Sequence, residues 1–262
     1  MTGDTRRLRA IFDEDAELYD RVRPGYPYRM FDDLERLGGV GPGCRVLEIG
    51  AGTGIATLPL AERGCRITAV ELGANMAAVA ARKLAAHPDV EVVVAAFEEW
   101  PLPPEPFDLV LAATAYHWLD PAARTARIAS ALRPGGALAV VETHHIAGGD
   151  VRFFADTQGC YERFDPATPP GLQLEPPAAI PQNADTDASA DFRPAVFRRY
   201  EWEQAYATRA YLDLLMSYSG HRALPAPARR NLLDCIAALI DGRHGGRITK
   251  RYLTQLWVAR RT

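Results

Sequence analysis

The sequence predicts an α/β protein built on a doubly wound sheet, and three observations carry that prediction. Five short apolar runs, bounded by glycine, proline or charge, recur between residues 45 and 142. Between them lie stretches with helical spacing of apolar residues, an alternation that demands parallel pairing and right-handed crossovers. The first run opens directly into a turn with three glycines, where sheets of this kind bind ligands. Two later runs with strand-like alternation add a C-terminal antiparallel hairpin, giving a seven-stranded sheet with five parallel strands.

Each element follows from local signals. Leu8, Ile11, Phe12, Leu18 and Tyr19 lie at roughly helical spacing after the start signal Asp4-Thr5, predicting a helix over 5–20. Arg23-Pro24-Gly25-Tyr26-Pro27 ends it, because proline and glycine break helices. A second helix over 28–37 stops at Gly38-Gly39. Strand 45–49 leads through the glycine-rich turn to a helix over 55–63, and strand 66–71 to a helix over 74–86. Strand 91–95 precedes a proline-rich loop, strand 107–113 a helix over 121–132, and strand 137–142 follows Arg133-Pro134-Gly135-Gly136.

Beyond Glu142 the alternation breaks. Residues 148–161 read as a helix and 165–191 as a solvated loop rich in Pro, Ala and Asp. A strand over 192–202, helices over 208–218 and 225–240, and a strand over 248–260 complete the chain. The helical insertion is expected to lie over the carboxyl edge of the sheet. The resulting divisions are an N-terminal helical cap (1–40), a ligand-binding core (41–143), a helix with the Pro-rich loop (144–191), and a strand pair (192–262) interrupted by a helical cap (205–242), all in one compact unit.

At 262 residues, with 48% hydrophobic and 24% charged residues, the composition excludes a disordered tail or a coiled rod. The formal charge of −3 gives no pull toward nucleic acid or an anionic membrane. No window approaches the ~18 apolar residues of a span, and the N-terminus lacks the apolar core of a signal peptide. The expected setting is the cytoplasm. Arg6, Arg7 and Arg9 read as a solvated helix face. The 30 basic residues are nearly all arginine, Lys83 and Lys250 being the exceptions, a bias attributed to base composition. Cys44, Cys65, Cys160 and Cys235 have no paired spacing and read as isolated thiols.

The chemistry concentrates in 46–76. Glycines at 50, 52 and 54 allow a tight turn and close approach of a ligand. Glu71, at the end of the second strand, can accept both hydroxyls of a ribose. Two nucleoside cofactors compete for such a turn. A dinucleotide wants glycine or alanine where this chain has Ile55, and it would set its pyrophosphate beside Glu48. At ~4 Å and an effective dielectric of ~20, each like-charge pair costs about 4 kcal/mol. S-adenosylmethionine (SAM) carries a sulfonium and an ammonium and no phosphate, so electrostatics favours SAM over NAD.

Together, Glu48-Ile49-Gly50-Ala51-Gly52-Thr53-Gly54 and Val70-Glu71 resemble the signature of class I SAM-dependent methyltransferases, a Rossmann-like family. The resemblance covers 10–143 well and the C-terminal hairpin more loosely. Phe12-Asp13, Tyr19-Asp20, Arg23 to Pro27 and Tyr116-His117-Trp118-Leu119-Asp120-Pro121 resemble small-molecule enzymes, nearest the trans-aconitate and ubiquinone/menaquinone methyltransferase-like branch. The resemblance implies that Gly50, Gly52 and Gly54 form the methionine-moiety turn with Glu48 nearby. Glu71 would hold the ribose and Leu72 cover the adenine. The family's usual acid after the third strand aligns with Ala96, leaving the Phe97 backbone and Glu98 as substitutes. Thr114 would contact the methionine part, and Arg23 the cofactor carboxylate. Tyr19 and Tyr26 would close the lid.

Methyl transfer needs alignment and, for most nucleophiles, removal of a proton. His117, after strand four, and His144 and His145, after strand five, are candidate bases at the carboxyl edge. Neighbours on an extended segment face opposite ways, so at most one of His144 and His145 points at substrate. Tyr26, Trp118, Tyr218 and His221 are assigned to the substrate's surroundings. The three histidines lack an Asp or Glu at ligand spacing, and no metal is assigned. The reading is a methyltransferase acting on a small molecule and releasing S-adenosylhomocysteine (SAH), with neither nucleic acid nor membrane as partner. A SAM-binding fold used without methyl transfer, as in a cyclase or binding protein, and an RNA or protein methyltransferase stay open as alternatives.

Overall fold

The computed structural model describes residues 13–262. The expectations for Leu8, Ile11 and Phe12 and for the Arg6, Arg7 and Arg9 face concern residues outside this range. Seven strands form one sheet: β1 (Arg45–Ile49), β2 (Arg66–Glu71), β3 (Val90–Val94), β4 (Phe107–Ala113), β5 (Leu132–Ile146), β6 (Val196–Ala207) and β7 (Arg247–Arg260). Their order is β3-β2-β1-β4-β5-β7-β6. β1 to β5 are parallel, and β7 lies antiparallel between β5 and β6.

The nine α-helices among the described residues are α1 (Ala16–Val22), α2 (Tyr28–Gly38), α3 (Thr57–Glu62), α4 (Ala74–Lys83), α5 (Arg124–Ala131), α6 (Val151–Phe164), α7 (Thr208–Met216), α8 (Ser219–Ala223) and α9 (Ala226–Arg243). α1 begins where the Asp15 carboxylate accepts the Leu18 amide at 3.1 Å, the usual way a first-turn donor is satisfied. α2 ends at Gly39, whose φ of 78° suits glycine and closes the last turn on Glu35.

Alternation along the strands sorts side chains onto two faces. Val46, Ile67, Leu109, Leu111, Ala139 and Val141 pack against Met30, Phe31 and Leu34 of α2 and Leu60 of α3. Leu47, Ile49, Val110, Leu138 and Val140 pack on the other face against Ile128 and Ala129 of α5. Each fully buried aliphatic side chain stabilises the fold by about 1.5–3 kcal/mol relative to exposure. A third core, formed by Phe153 and Phe154 of α6, Leu214 and Leu215 of α7, Leu232, Ile236 and Ile240 of α9, and Ile248 and Tyr252 of β7, stands beyond the carboxyl edge.

The departures from expectation have identifiable causes. β5 runs on to Ile146 because Thr143 to Ile146 pair with Thr254 to Arg251 of β7. β6 starts at Val196, after Pro194, which has no amide to give a ladder; Phe192 forms only an isolated bridge with Arg261. The 165–191 segment is largely exposed, as expected of a solvated loop, but is anchored at a few points. Gln255 donates to Pro181 O at 3.0 Å and Tyr116 to Asp185 at 2.8 Å, and Ala184 and Thr186 are buried. The isolated-thiol reading fails for two cysteines: Cys160 of α6 and Cys235 of α9 are joined by a disulfide, while Cys44 and Cys65 are free and buried. Packing of α6 on α9 brings together two cysteines 75 residues apart, which no sequence spacing records. Among the described residues, no helix is long and apolar enough to cross a membrane.

Candidate active site

Two cavities open at the carboxyl edge and share a wall. The outer one, about 260 Å³, lies over the ends of β1, β2 and β4 and is lined by Ile49, Gly50, Gly52, Val70, Glu71, Leu72, Met76, Phe97, Ala113, His117 and Trp118, among others. The inner one, about 420 Å³, lies beneath the cap and is walled by residues of α6 to α8, β5 and β7. Tyr19, Arg23, Thr114 and Tyr218 line both.

The floor of the outer cavity is the β1 turn. Gly50 has φ 67°, and a Cβ there would stand 2.7 Å from the Ala115 Cβ, so the position requires glycine. Gly52 has φ 58° and gives its amide to Glu71 Oε2 at 2.8 Å. The second carboxylate oxygen of Glu71 accepts the Gly73 amide at 2.7 Å. Two main-chain donors thus fix this carboxylate at the rim. Asp13 braces the next turn, its Oδ1 accepting the Met76 amide at 2.9 Å within the first turn of α4.

At the shared wall, Thr114 has φ 56°, the one positive φ outside glycine among the described residues. A β-branched residue held there is strained, a cost of order 1–3 kcal/mol that clusters at functional sites. Its amide is held by Val141 O at 2.7 Å and its hydroxyl by the Tyr26 hydroxyl at 3.0 Å. Arg23 gives Nη2 to Ser217 O at 2.8 Å and stacks its guanidinium 4.8 Å from the Tyr19 ring and 4.2 Å from the Tyr218 ring. Its buried Nε has no partner among the described residues. Burial raises the Tyr26 phenol, against the Thr114 hydrogen bond. Tyr218 is lowered in spite of its burial by the Lys250 and Arg23 charges.

The structure brings Tyr19, Arg23, Gly50, Gly52, Glu71, Leu72, Phe97 and Thr114 around the outer cavity, and Tyr26, Tyr218, His145 and His221 around the inner one. Several expected site residues lie elsewhere. Glu48 is 1% exposed, turned by strand alternation away from both cavities. Burial, aided by the Glu71 charge and opposed by Thr57, pushes its carboxyl up to about 7, so the full charge once set against a pyrophosphate is not there. Gly54 lies outside the cavity lining, packed against Leu84 and Ala80. Glu98 does not reach the lining either, and the Phe97 carbonyl is taken by Arg127 Nε at 2.8 Å.

The histidines divide in the same way. His117 and Trp118 line the outer cavity and not the inner one, their rings 4.8 Å apart. His144 points aside, its Nε2 4.0 Å from Glu142 Oε2. His145 faces the inner chamber, with its ring 4.5 Å from Phe154. Burial and the Lys250 charge hold it down to about 3, and burial holds His221 down to about 4 beside the Tyr161 hydroxyl at 3.0 Å. Rings that hold a proton so weakly are neutral near pH 7 and poor general bases.

Lys250, Tyr252 and Thr143 of the inner chamber escaped the sequence reading as site residues. For two of them a signal existed: Ile248, Lys250 and Tyr252 alternate along β7, putting the chain's second lysine on a buried strand face.

The outer cavity fits SAM by its own chemistry. Val70, Leu72, Met76 and Phe97 line an apolar slot that could take a base, Glu71 stands where a ribose would lie, and the buried Arg23 Nε, without a partner among the described residues, could meet a carboxylate. Comparison with known proteins gives the same class. Residues 46–136 match the family model of a methyltransferase domain. Over 241 residues the chain is 32% identical to an uncharacterized methyltransferase of Mycobacterium tuberculosis (strain ATCC 25618 / H37Rv), covering 92% of this chain and 89% of that one. The solved structure of a type II methyltransferase from Anaeromyxobacter dehalogenans is 26% identical with a TM-score of 0.60, covering 91% and 97% of the two chains. Haemonchus contortus phosphoethanolamine N-methyltransferase 2, solved with phosphomonomethylethanolamine and SAH, shares the fold at 18% identity and a TM-score of 0.51, over 95% of this chain and 59% of that one.

The chain belongs to the class I SAM-dependent methyltransferases. It is an enzyme of that family with SAM as its cofactor.

Proposed function

We propose that the enzyme moves the SAM methyl group, by in-line displacement, to an oxygen, nitrogen or carbon nucleophile of a small organic molecule held in the inner chamber. One observation carries this reading: a second cavity of about 420 Å³, built from the same chain, meets the cofactor cavity through Tyr19, Arg23, Thr114 and Tyr218. SAM supplies a methyl group already activated by its sulfonium.

The chain's own residues position and exclude. Glu71 holds the ribose and Arg23 the carboxylate of the methionine part, while Leu72 and Phe97 bracket the base. Tyr26 and Thr114, hydrogen-bonded to each other, put polar groups where the two cavities meet. The cap, with Tyr211, Leu214 and Leu215 in its core, roofs the chamber and shields bound substrate from part of the solvent. His145 and His221 act as neutral wall groups, so an acceptor that already carries a nucleophilic anion suits the site best.

The test uses methyl-deuterated SAM and a cell extract separated into low-mass, protein and RNA fractions. Label is expected in the low-mass fraction with matching release of SAH. Label in protein or RNA overturns the small-molecule reading, and SAM retained without SAH in every fraction overturns methyl transfer.

A further inference from the structure

The inner chamber contains a cation with no anion to meet it. Lys250, on β7, is 4% exposed and lines the chamber. Its Nζ donates to the Tyr218 hydroxyl at 3.4 Å, near the outer limit of a hydrogen bond, and stands 5.4 and 5.0 Å from the Tyr218 and Tyr252 ring centroids. No Asp or Glu occurs among the described residues that line this chamber, and none of the described residues forms an ion pair with Lys250. The chain's other lysine, Lys83, pairs with Asp20. A buried ammonium left with aromatic faces and one phenol is costly compared with one that meets a carboxylate. Burial draws its proton affinity down, with Tyr218 opposing that effect.

The rest of the chamber is apolar or neutral. Phe154, Leu172, Leu174 and Leu215 supply hydrocarbon surface, and His145 and His221 carry no charge near pH 7. Arg23, at the mouth, is committed under the proposed function to the carboxylate of the cofactor. One positive charge therefore faces the interior. A cationic acceptor would be repelled by it, and a polyacid would bring more charge than the walls can match.

We propose that the acceptor is a small, largely apolar organic acid, bound as a monoanion with its carboxylate against Lys250. The inference rests on the methyltransferase reading, because it assigns Arg23 to the cofactor and the inner chamber to the acceptor. Lys250 is a specificity-determining residue in this scheme, and Tyr218, which touches both cavities, places the anionic end one side chain from the cofactor.

Matched acid and amide pairs test it: benzoate and benzamide, naphthoate and naphthamide, octanoate and octanamide, titrated calorimetrically into SAH-saturated protein. At least one acid should bind about tenfold or more tightly than its amide, and Lys250→Met should remove that preference. Lys250→Arg should retain it. SAH affinity, which reports folding and the cofactor cavity, should stay within about twofold in both variants because Lys250 does not line that cavity. Acid and amide binding alike in the wild type, as they would if a Tyr218 phenolate already neutralised the ammonium, overturns the proposal. So does a preference that survives Lys250→Met, or an acid that competes with SAH. Protein that fails to bind SAH at all refutes the methyltransferase reading instead, so the two failures are distinguishable.

Discussion

Alanine at Gly50 and at Gly52 should produce two different defects. Both glycines have positive φ, which costs a non-glycine residue about 1–2 kcal/mol. At Gly50 the new Cβ also stands 2.7 Å from the Ala115 Cβ, and relieving such overpacking costs a further ~1–3 kcal/mol. Gly50→Ala should therefore lose about 2–5 kcal/mol, a fall in Tm of about 5 to 15 °C for a chain of this size. At Gly52 the nearest atom is Met76 Cε at 3.7 Å, an ordinary contact, so only the backbone cost of about 1–2 kcal/mol applies. Its Cβ enters a position that lines the cofactor cavity, and SAH affinity should drop by about tenfold or more. Thermal unfolding with and without SAH, together with calorimetric titration of SAH, separates the two. Equal Tm losses in both variants, or unchanged SAH affinity in Gly52→Ala, would refute the reasoning.

Three further outcomes are expected. Glu71→Ala removes the acceptor of the Gly52 and Gly73 amides and should weaken SAH binding about ten- to a hundredfold, the worth of one lost charge-assisted hydrogen bond of ~1.5–3 kcal/mol, as measured by calorimetry. Glu48 has a folded pKa of about 7 against an ordinary 4.5, so its stabilising contribution is full below the ordinary value and is lost as pH rises through 7. Glu48→Gln should accordingly raise Tm relative to wild type more at about pH 8 than at about pH 5, a difference read by calorimetric melting. Opening the Cys160–Cys235 disulfide, by reductant (checked by thiol titration) or by Cys160→Ala with Cys235→Ala, should lower stability by up to about 4.5 kcal/mol for a sequence separation of 75, read by denaturant unfolding.

Much of the core was legible because its elements advertise themselves locally. β1, β2 and β4 begin and end where their apolar runs do, since buried parallel strands carry apolar residues on both faces. The glycine turn and Glu71 were legible for a related reason: a strand end, a positive φ and an acid at the next strand end are all short-range features. What failed depended on orientation or on distant packing. Glu48 has the right residue type beside the right turn, but its phase along β1 sends it into the body of the protein. His144 and His145 are adjacent, and only the pairing of β5 with β7 decides which faces the chamber. The disulfide depends on α6 meeting α9, and Lys250 acquires meaning only when β7 carries it beneath the cap.

The chain leaves the sheet at Ala207 and re-enters it at Arg247, and these two residues are partners across the β6 and β7 ladder. Thr208 and Gly246, one step further out, are joined by a main-chain hydrogen bond of 3.3 Å. The strands themselves hold the two ends of the helical excursion together, which keeps its loop-closure entropy low, while the Cys160–Cys235 disulfide and the Arg23–Ser217 hydrogen bond tie its interior to the rest of the chain. Such an excursion behaves as a cassette: it can diverge in length and lining while the cofactor turn keeps its geometry. Rewriting it would change the inner chamber through Tyr211, Leu215, Tyr218 and His221 and leave the glycine turn after β1 untouched.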